Sequence, residues 1–340
     1  MFETFRNRLE LTGTLTTITA LKIGAGRSVE PTDPDVPVIK DANGHPLIPG
    51  SSFKGALRSR LESFLRGIFG SDRKLVGDPS NEDEWSLNSR EISALKKLGL
   101  EQLLVLNLAK QDTRFRTLSL EDLIERIKTQ QIRARDVLAQ DAFEQLKMHS
   151  TDDSALTNVI LQNTDYISRL FGSPWLASKV QIRDLTVQDG NWFGQYQERD
   201  GVAIDRDTET AADKRKYDFQ VVPAGTIFDF KATAENLEEA ELGLLMLGLT
   251  QFENEMIPLG GGISRGLGVV RLDLTEMIWV DSRNPENPNE LLKDKLIEYM
   301  QNLVSNHLQP YVLSQPQMTT HKNNWIKALI AALSPSASSA

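Results

Sequence analysis

Three groups in this chain have residue types and spacing that could do chemistry. The first is a pair of carboxylates, Asp33 and Asp35, in Pro31-Thr32-Asp33-Pro34-Asp35-Val36-Pro37-Val38-Ile39. The prolines hold this stretch extended, and residues two apart in an extended chain point the same way. Two such carboxylates could bind Mg²⁺ or act as a general base beside a phosphate; a solvated acidic turn is the alternative. The second group is Lys54 and Arg58, four residues apart behind Pro49-Gly50-Ser51-Ser52. Ser51 or Ser52 can cap a helix start there, and a capped start with cations beside it suits an anion such as a phosphate. The alternative is an ordinary amphipathic helix with a solvated basic side. The third is Gly260-Gly261-Gly262-Ile263-Ser264-Arg265-Gly266-Leu267-Gly268, with five glycines in nine residues. Its backbone allows very close approach, and its amides with Arg265 would make a phosphate nest; a tight helix-to-strand turn is the alternative.

Composition narrows the options. The 340 residues carry a net charge of −9, which argues against a generically basic nucleic-acid binder. Distribution says more than the sum. From Lys40 to Arg66 there are five cations (Lys40, Lys54, Arg58, Arg60, Arg66) and two acids, and from Leu259 to Leu272 there are Arg265, Arg271 and no acid. There is no cysteine, which excludes disulfides and thiolate metal sites and fits a reducing, cytoplasmic setting. The four histidines (His45, His149, His307, His321) have no ligand-like spacing, so no zinc is expected, and no Ser-His-Asp grouping is evident. No run of 18 apolar residues predicts a membrane span, and the first residues lack the apolar core of a secretory signal. Gly24-Ala25-Gly26 is followed by Val29 where a dinucleotide fingerprint needs glycine, and Gly50 to Gly55 lacks the Walker spacing, so no nucleotide cofactor is assigned.

The elements that must position these groups follow from periodicity. Residues 9–23 read as a strand, with Leu9, Leu11, Leu15 and Ile18 among threonines. Asn43-Gly44 predicts a hairpin turn. Phe53, Leu57, Leu61, Phe64, Leu65 and Ile68 give a helix an apolar face. Residues 72–165 read as short helices, among them 91–98, 119–128 (opened by Ser119 and Asp122) and 134–148, and form a helical insertion. Residues 166–195 read as strand and turn, 196–219 as a charged hairpin arm or a surface loop, and 221–234 as a strand turning at Pro223-Ala224-Gly225-Thr226. Asn236 is expected to cap a helix from Leu237 to about Phe252, followed by a strand over 269–274 and a late helix over about 291–303. Without the insertion the order is βαββαβ, the ferredoxin-like plan shared with RNA-recognition domains. The expected organisation is α+β: 1–71 as the first part of a palm, 72–165 as the insertion, 166–280 as the second part with a hairpin at about 196–221, and 281–340 as a helical extension and tail.

Leu47-Ile48-Pro49-Gly50-Ser51-Ser52-Phe53-Lys54-Gly55-Ala56-Leu57-Arg58 and the 260–268 loop resemble the signatures of the RAMP superfamily of CRISPR systems. Leu170-Phe171-Gly172-Ser173, Arg199-Asp200-Gly201-Val202-Ala203-Ile204-Asp205-Arg206 and Val221-Val222-Pro223-Ala224-Gly225-Thr226 resemble its type III branch. The resemblance covers roughly residues 9–70 and 166–275. It implies a ferredoxin-like palm whose β-hairpin thumb, carrying Val202, Ile204 and Arg206, wedges into a guide–target duplex. It implies that Ser51, Ser52, Lys54, Arg58, Gly261, Gly262, Ser264, Arg265 and Gly266 hold the guide RNA backbone. It further implies antiviral defence as one subunit of a head-to-tail effector filament. Asp35, with Asp33 as the alternative, would cleave target RNA with Mg²⁺ or another divalent cation. The family often carries a Cys/His zinc site after the first helix; here that place is taken by the long cysteine-free insertion, which suggests a specialised subunit. The alternatives carried forward are a catalytically silent subunit of the same complex, a guide-processing endonuclease, which the scattered histidines disfavour, and an unrelated enzyme with an anion site.

Overall fold

The computed structural model describes residues 4–26, 36–70, 72–115, 117–204, 211–287 and 290–334, with backbone alone along 201–204 and 211–217. In chain order, β1 (Asn7–Thr17), β2 (Leu47–Ile48) and α1 (Gly50–Phe69) come first. A helical stretch follows: α2 (Ser89–Leu95), α3 (Leu100–Gln111), α4 (Leu120–Lys128), α5 (Ala134–Val137), α6 (Gln140–Met148), α7 (Asp152–Gln162) and α8 (Tyr166–Phe171). Then come β3 (Val180–Ile182), β4 (Leu185–Thr186), β5 (Gln197–Ile204), β6 (Ala211–Val221), β7 (Ile227–Glu235), α9 (Glu239–Glu253) and β8 (Val270–Asp281). The chain closes with α10 (Lys293–Val304) and α11 (Gln315–Leu333).

Residues 2–61 and 179–340 form one compact unit and residues 62–178 another. The first holds a four-stranded antiparallel sheet in the order β3-β7-β1-β8. With α1 after β1 and α9 between β7 and β8, this is the ferredoxin-like order, and the fold is α+β as expected. β1 alternates along its whole length: Leu9, Leu11 and Leu15 are buried, while Arg8, Glu10, Thr12, Thr14 and Thr16 lie on the half-buried opposite face. From α1, Phe53, Leu57 and Leu61 are fully buried; Phe53 stacks on Phe252 of α9 at 4.2 Å and tilts against Phe230 of β7 at 5.1 Å. α11 packs beside α9, where Trp325 and Leu329 are buried and Lys322 bonds both Glu253 oxygens at 2.7 Å.

The second unit is all-helical around its own core of Leu95, Leu106, Leu123, Phe143 and Val159. It is wider than the expected 72–165, for local reasons at both ends. Arg66 of α1 donates to the Gly77 carbonyl at 3.4 Å. Residues 166–171, expected to be strand and turn, form α8 instead, because Asp165 caps them through Ser168 N at 2.9 Å and is itself bonded by the Ser86 hydroxyl. Trp175 donates to the Leu87 carbonyl at 3.0 Å and ties the segment to the same unit.

Several expectations need correction. Phe64 and Ile68 are 46% and 55% exposed; the buried row runs strictly at four-residue steps through Phe53, Leu57, Leu61 and Leu65, and those two fall off it. β1 ends at Thr17, short of residue 23. The helix expected over 91–98 is α2, capped by Asn88, and that over 134–148 breaks between Val137 and Gln140 into α5 and α6. Asn236 does not cap α9. It sits at φ +55°, accepts from Arg6 N at 2.8 Å and donates to the Thr4 carbonyl at 2.8 Å, so it stitches the amino-terminal segment down. Among the described residues no helix is long and apolar enough to cross a membrane.

Candidate nucleic-acid interface

The segment directly after β1 organises the site. It hydrogen-bonds, one stretch after another, to each of the neighbouring motifs. Thr17 N donates to the Thr226 carbonyl at 3.0 Å, Gly225 N donates back to Thr17 O at 2.6 Å, and Leu21 and Val222 exchange bonds at 2.9 and 2.8 Å. Gly268 N donates to Ala20 O at 2.9 Å and Gly261 N to Lys22 O at 2.8 Å. Ile39 N donates to Ile23 O and Ala25 N to Pro37 O, both at 2.9 Å. The turn at 223–226, the glycine-rich loop and the chain entering α1 are thus fastened to one short length of backbone.

A small apolar cluster completes the junction. Ala20, Phe219, Val221 and Leu267 are buried together with Val36 packed against them. Phe219 and Val221 are the foot of the hairpin made by β5 and β6, whose strands pair antiparallel from Gln197↔Val221 to Ile204↔Ala211. Leu267 belongs to the glycine-rich loop. Val36 closes the segment that carries the two aspartates: Val36 N donates to Asp218 O at 3.2 Å and Gln220 N to Val36 O at 3.1 Å. Asp33, Asp35 and Arg206 themselves lie outside the described residues, and Val202 and Ile204 are described by their backbone, on β5. On the carboxyl side of the two aspartates, Val36 bridges Phe219 at the foot of the hairpin.

The start of α1 differs from the expectation. Ser51 and Ser52 lie within the first turn and do not cap it. Gly50 N instead donates to the Asp184 carboxylate at 2.8 Å, so a side chain of this protein already occupies one amide of the proposed anion site. A Cβ on Gly50 would stand 2.2 Å from the Ile182 carbonyl oxygen, so glycine is what lets the helix start this close to β3. Replacing Asp184 with Ala is expected to cost about 1 kcal/mol, with Asp184→Asn retaining most of it, measured by denaturant unfolding.

The basic islands are thinner than the sequence suggests. Arg60 donates to Gln251 at 2.7 Å, and Arg271 pairs with Asp273 at 3.3 Å and Glu255 at 3.7 Å. Lys54 is half-buried and donates to the Val180 carbonyl at 3.3 Å; burial, and then the nearby Arg58, hold its ammonium below the usual lysine range. Arg58 lies one turn further along the same face. Phe53 stacks on Phe252 near the end of α9, from which the chain runs on into the glycine-rich loop, so α1 begins at the same end of the sheet as that loop.

The loop is a single 3-10 turn, Ile263–Arg265, between Gly262 at φ +78° and Gly266 at φ +79°. The amides of Gly261, Arg265 and Gly266 donate within the protein, so the nest is smaller than expected. The amides of Ile263 and Ser264 open the turn, where helical geometry supplies no partner. Gly261, Ile263, Ser264, Arg265 and Gly266 are exposed. Sequence reasoning missed Asp184, Lys22 (whose ammonium lies 4.0 Å over the Phe219 ring) and the aromatic residues before the hairpin.

Residues 14–271 match the sequence model of the RAMP superfamily. The chain is a member of the RAMP superfamily. The match spans β1 to the start of β8 and includes every described residue of the junction. A further comparison is local. A stretch of 78 residues, 22% of this RAMP superfamily member, is 38% identical to the CRISPR system Cms endoribonuclease Csm3 of Mycobacterium tuberculosis. That alignment covers 31% of the relative's length, so the chain spans about a third of the curated relative it matches.

Proposed function

We propose that this RAMP superfamily member is a subunit of a type III CRISPR effector complex that lines the guide RNA and cleaves the paired target RNA through Asp35. The observation that carries the reading is the apolar junction. It gathers the glycine-rich loop, the hairpin foot and the chain flanking Asp33 and Asp35 around one backbone segment. The relative's name, an endoribonuclease of a CRISPR system, supports the same reading.

In this reading Lys54, Arg58, Arg265 and the loop backbone at 261–266, with Ser51 and Ser52, hold guide phosphates, and the hairpin separates guide from target at intervals. Neighbouring subunits stack head to tail, a heterologous contact that generates filaments. The Asp35 carboxylate accepts the proton of a target 2′-hydroxyl. The O2′–phosphorus bond forms as the bond to the 5′ oxygen breaks and that oxygen takes a proton from water, leaving a 2′,3′-cyclic phosphate and a 5′-hydroxyl. Among the described residues no group of three His, Asp or Glu side chains could hold a cation. A Mg²⁺ requirement, with Asp35 as its holder, is part of the proposal; the ion would neutralise charge on the phosphate.

The binding half is tested with the assembled complex and a 2′-O-methyl guide. Lys54→Ala should lower the slope of log affinity against log salt by about 1. The wild type should lose affinity as pH rises through the lowered Lys54 pKa, because phosphate favours the protonated amine, and Lys54→Arg should remove that loss. Binding that ignores salt, pH and both substitutions would overturn the assignment of Lys54 to the guide.

A further inference from the structure

Residues 187–196 connect β4 to the hairpin and are pinned at their start. Val187 bridges Phe228, and Gln188 N donates to Ile227 O at 2.9 Å. The segment then presents three aromatic rings in a column. Trp192 stacks on Phe193 with centroids 5.7 Å apart and planes at 21°, and its indole meets Tyr196 at 4.9 Å with the planes tilted by 53°. Lys40 places its ammonium 4.6 Å from the centre of the Tyr196 ring, closing the far end with a cation. The Tyr196 hydroxyl donates to the Gly44 carbonyl at 2.6 Å, which fixes the column to the 41–45 turn. Burial and then Asp41 push its pKa up to about 12, so the phenol stays neutral and keeps that bond. Asp41 is occupied inside its own turn, accepting from Asn43 N at 2.9 Å and His45 N at 2.8 Å.

The open end of the column is Phe193, 63% exposed. Single exposed apolar residues are common, but this one ends a fixed stack whose other members are half-buried. A protein partner wants a broad apolar patch with a polar rim. A nucleobase wants one flat exposed ring held rigidly from behind, and stacking tolerates any base because each has a π face. The column offers the second arrangement, at the root of the hairpin.

We propose that Phe193 is a stacking platform for an unpaired RNA base, backed by Trp192 and Tyr196. This rests on the RNA-binding reading above and adds a site outside the residues assigned there. The test uses the assembled complex with guide RNA carrying 2-aminopurine at successive positions. One position for each copy of this subunit should be quenched in the wild type. Phe193→Ala and Phe193→Leu should both relieve that quenching and weaken binding roughly 5- to 100-fold, while Phe193→Tyr retains both. If both variants bind and quench as wild type while Lys54→Ala still lowers the salt slope, the platform is wrong and the RNA-binding reading stands. If Phe193→Leu retains complex assembly, Phe193→Ala loses it, and quenching is unchanged in whatever complex forms, the surface is a protein contact and the platform is overturned. If the wild-type complex binds no RNA, both readings fall together.

Discussion

Asp35→Ala is expected to lower the single-turnover rate of target-RNA cleavage by about 10²- to 10⁴-fold, the span typical of losing a positioned general base. Guide affinity should be unchanged, because the cations assigned to the guide are elsewhere. The measurement is product formation by the assembled complex with Mg²⁺, with the ends of the products mapped. Products ending in a 2′,3′-cyclic phosphate and a 5′-hydroxyl are what attack by the 2′-hydroxyl yields. Asp33→Ala runs beside it as the control, since the two lie two residues apart. Should every product band survive both substitutions, the subunit is catalytically silent and its contribution is to hold RNA. Replacing Mg²⁺ with a chelator should stop cleavage in the wild type.

The glycine-rich loop supplies the second large effect. Gly260 has φ +75°, and a Cβ there would stand 2.1 Å from the Lys22 carbonyl oxygen. Positive φ costs a non-glycine residue about 1–3 kcal/mol. The backbone clash adds to this, so Gly260→Ala is expected to destabilise the sheet-bearing unit by about 3 kcal/mol or more, lowering its melting temperature by about 6 °C or more. Gly261 next to it behaves oppositely. No atom lies within 4 Å of a Cβ built there, so Gly261→Ala should leave stability within about 0.5 kcal/mol of wild type. Gly261→Val should likewise fold, yet weaken guide binding, because the space that its side chain enters is the space proposed for a phosphate. Calorimetry of both variants, followed by binding measurements on Gly261→Val, separates a glycine needed by the fold from one needed by a ligand. A stable Gly261→Val protein with wild-type affinity would remove the loop from the RNA site.

Local patterns carried the architecture. The alternation of Leu9, Leu11 and Leu15 and the four-residue steps from Phe53 to Leu65 are properties of one element each, and both are borne out. The βαββαβ order was legible for the same reason, since turn residues and apolar runs mark its boundaries, whereas the charged stretch at 196–219 read equally as hairpin or surface loop and the hairpin came from the family resemblance. What stayed hidden depends on partners distant in sequence. The Asp184 carboxylate reaches Gly50 N from 134 residues away, and nothing near either residue announces it. Asn236 carries every local mark of a cap, yet the Arg6 amide and Thr4 carbonyl claim its side chain, and α9 begins at Glu239. Arg271 counts as free charge in the sequence and is paired with Asp273 and Glu255, while Arg60 keeps its charge but is held in place by Gln251. The expected strand over 9–23 was correct as far as Thr17 and then concealed the segment that matters most, because its hydrogen bonds go to three different places and no period records them.

That segment has a consequence for how the protein can be altered. Residues 17–25 are bonded to the 223–226 turn, the 259–268 loop and the 37–39 chain, and Ala20 sits in the cluster under the hairpin foot. The signature motifs are therefore not interchangeable cassettes. A chimera that imports a relative's hairpin alone would replace Phe219 and Val221 and set foreign side chains against this chain's Ala20, Val36 and Leu267. A transplant that keeps its grip on the palm has to carry the backbone after β1, residues 36–39 and the glycine-rich loop as one piece.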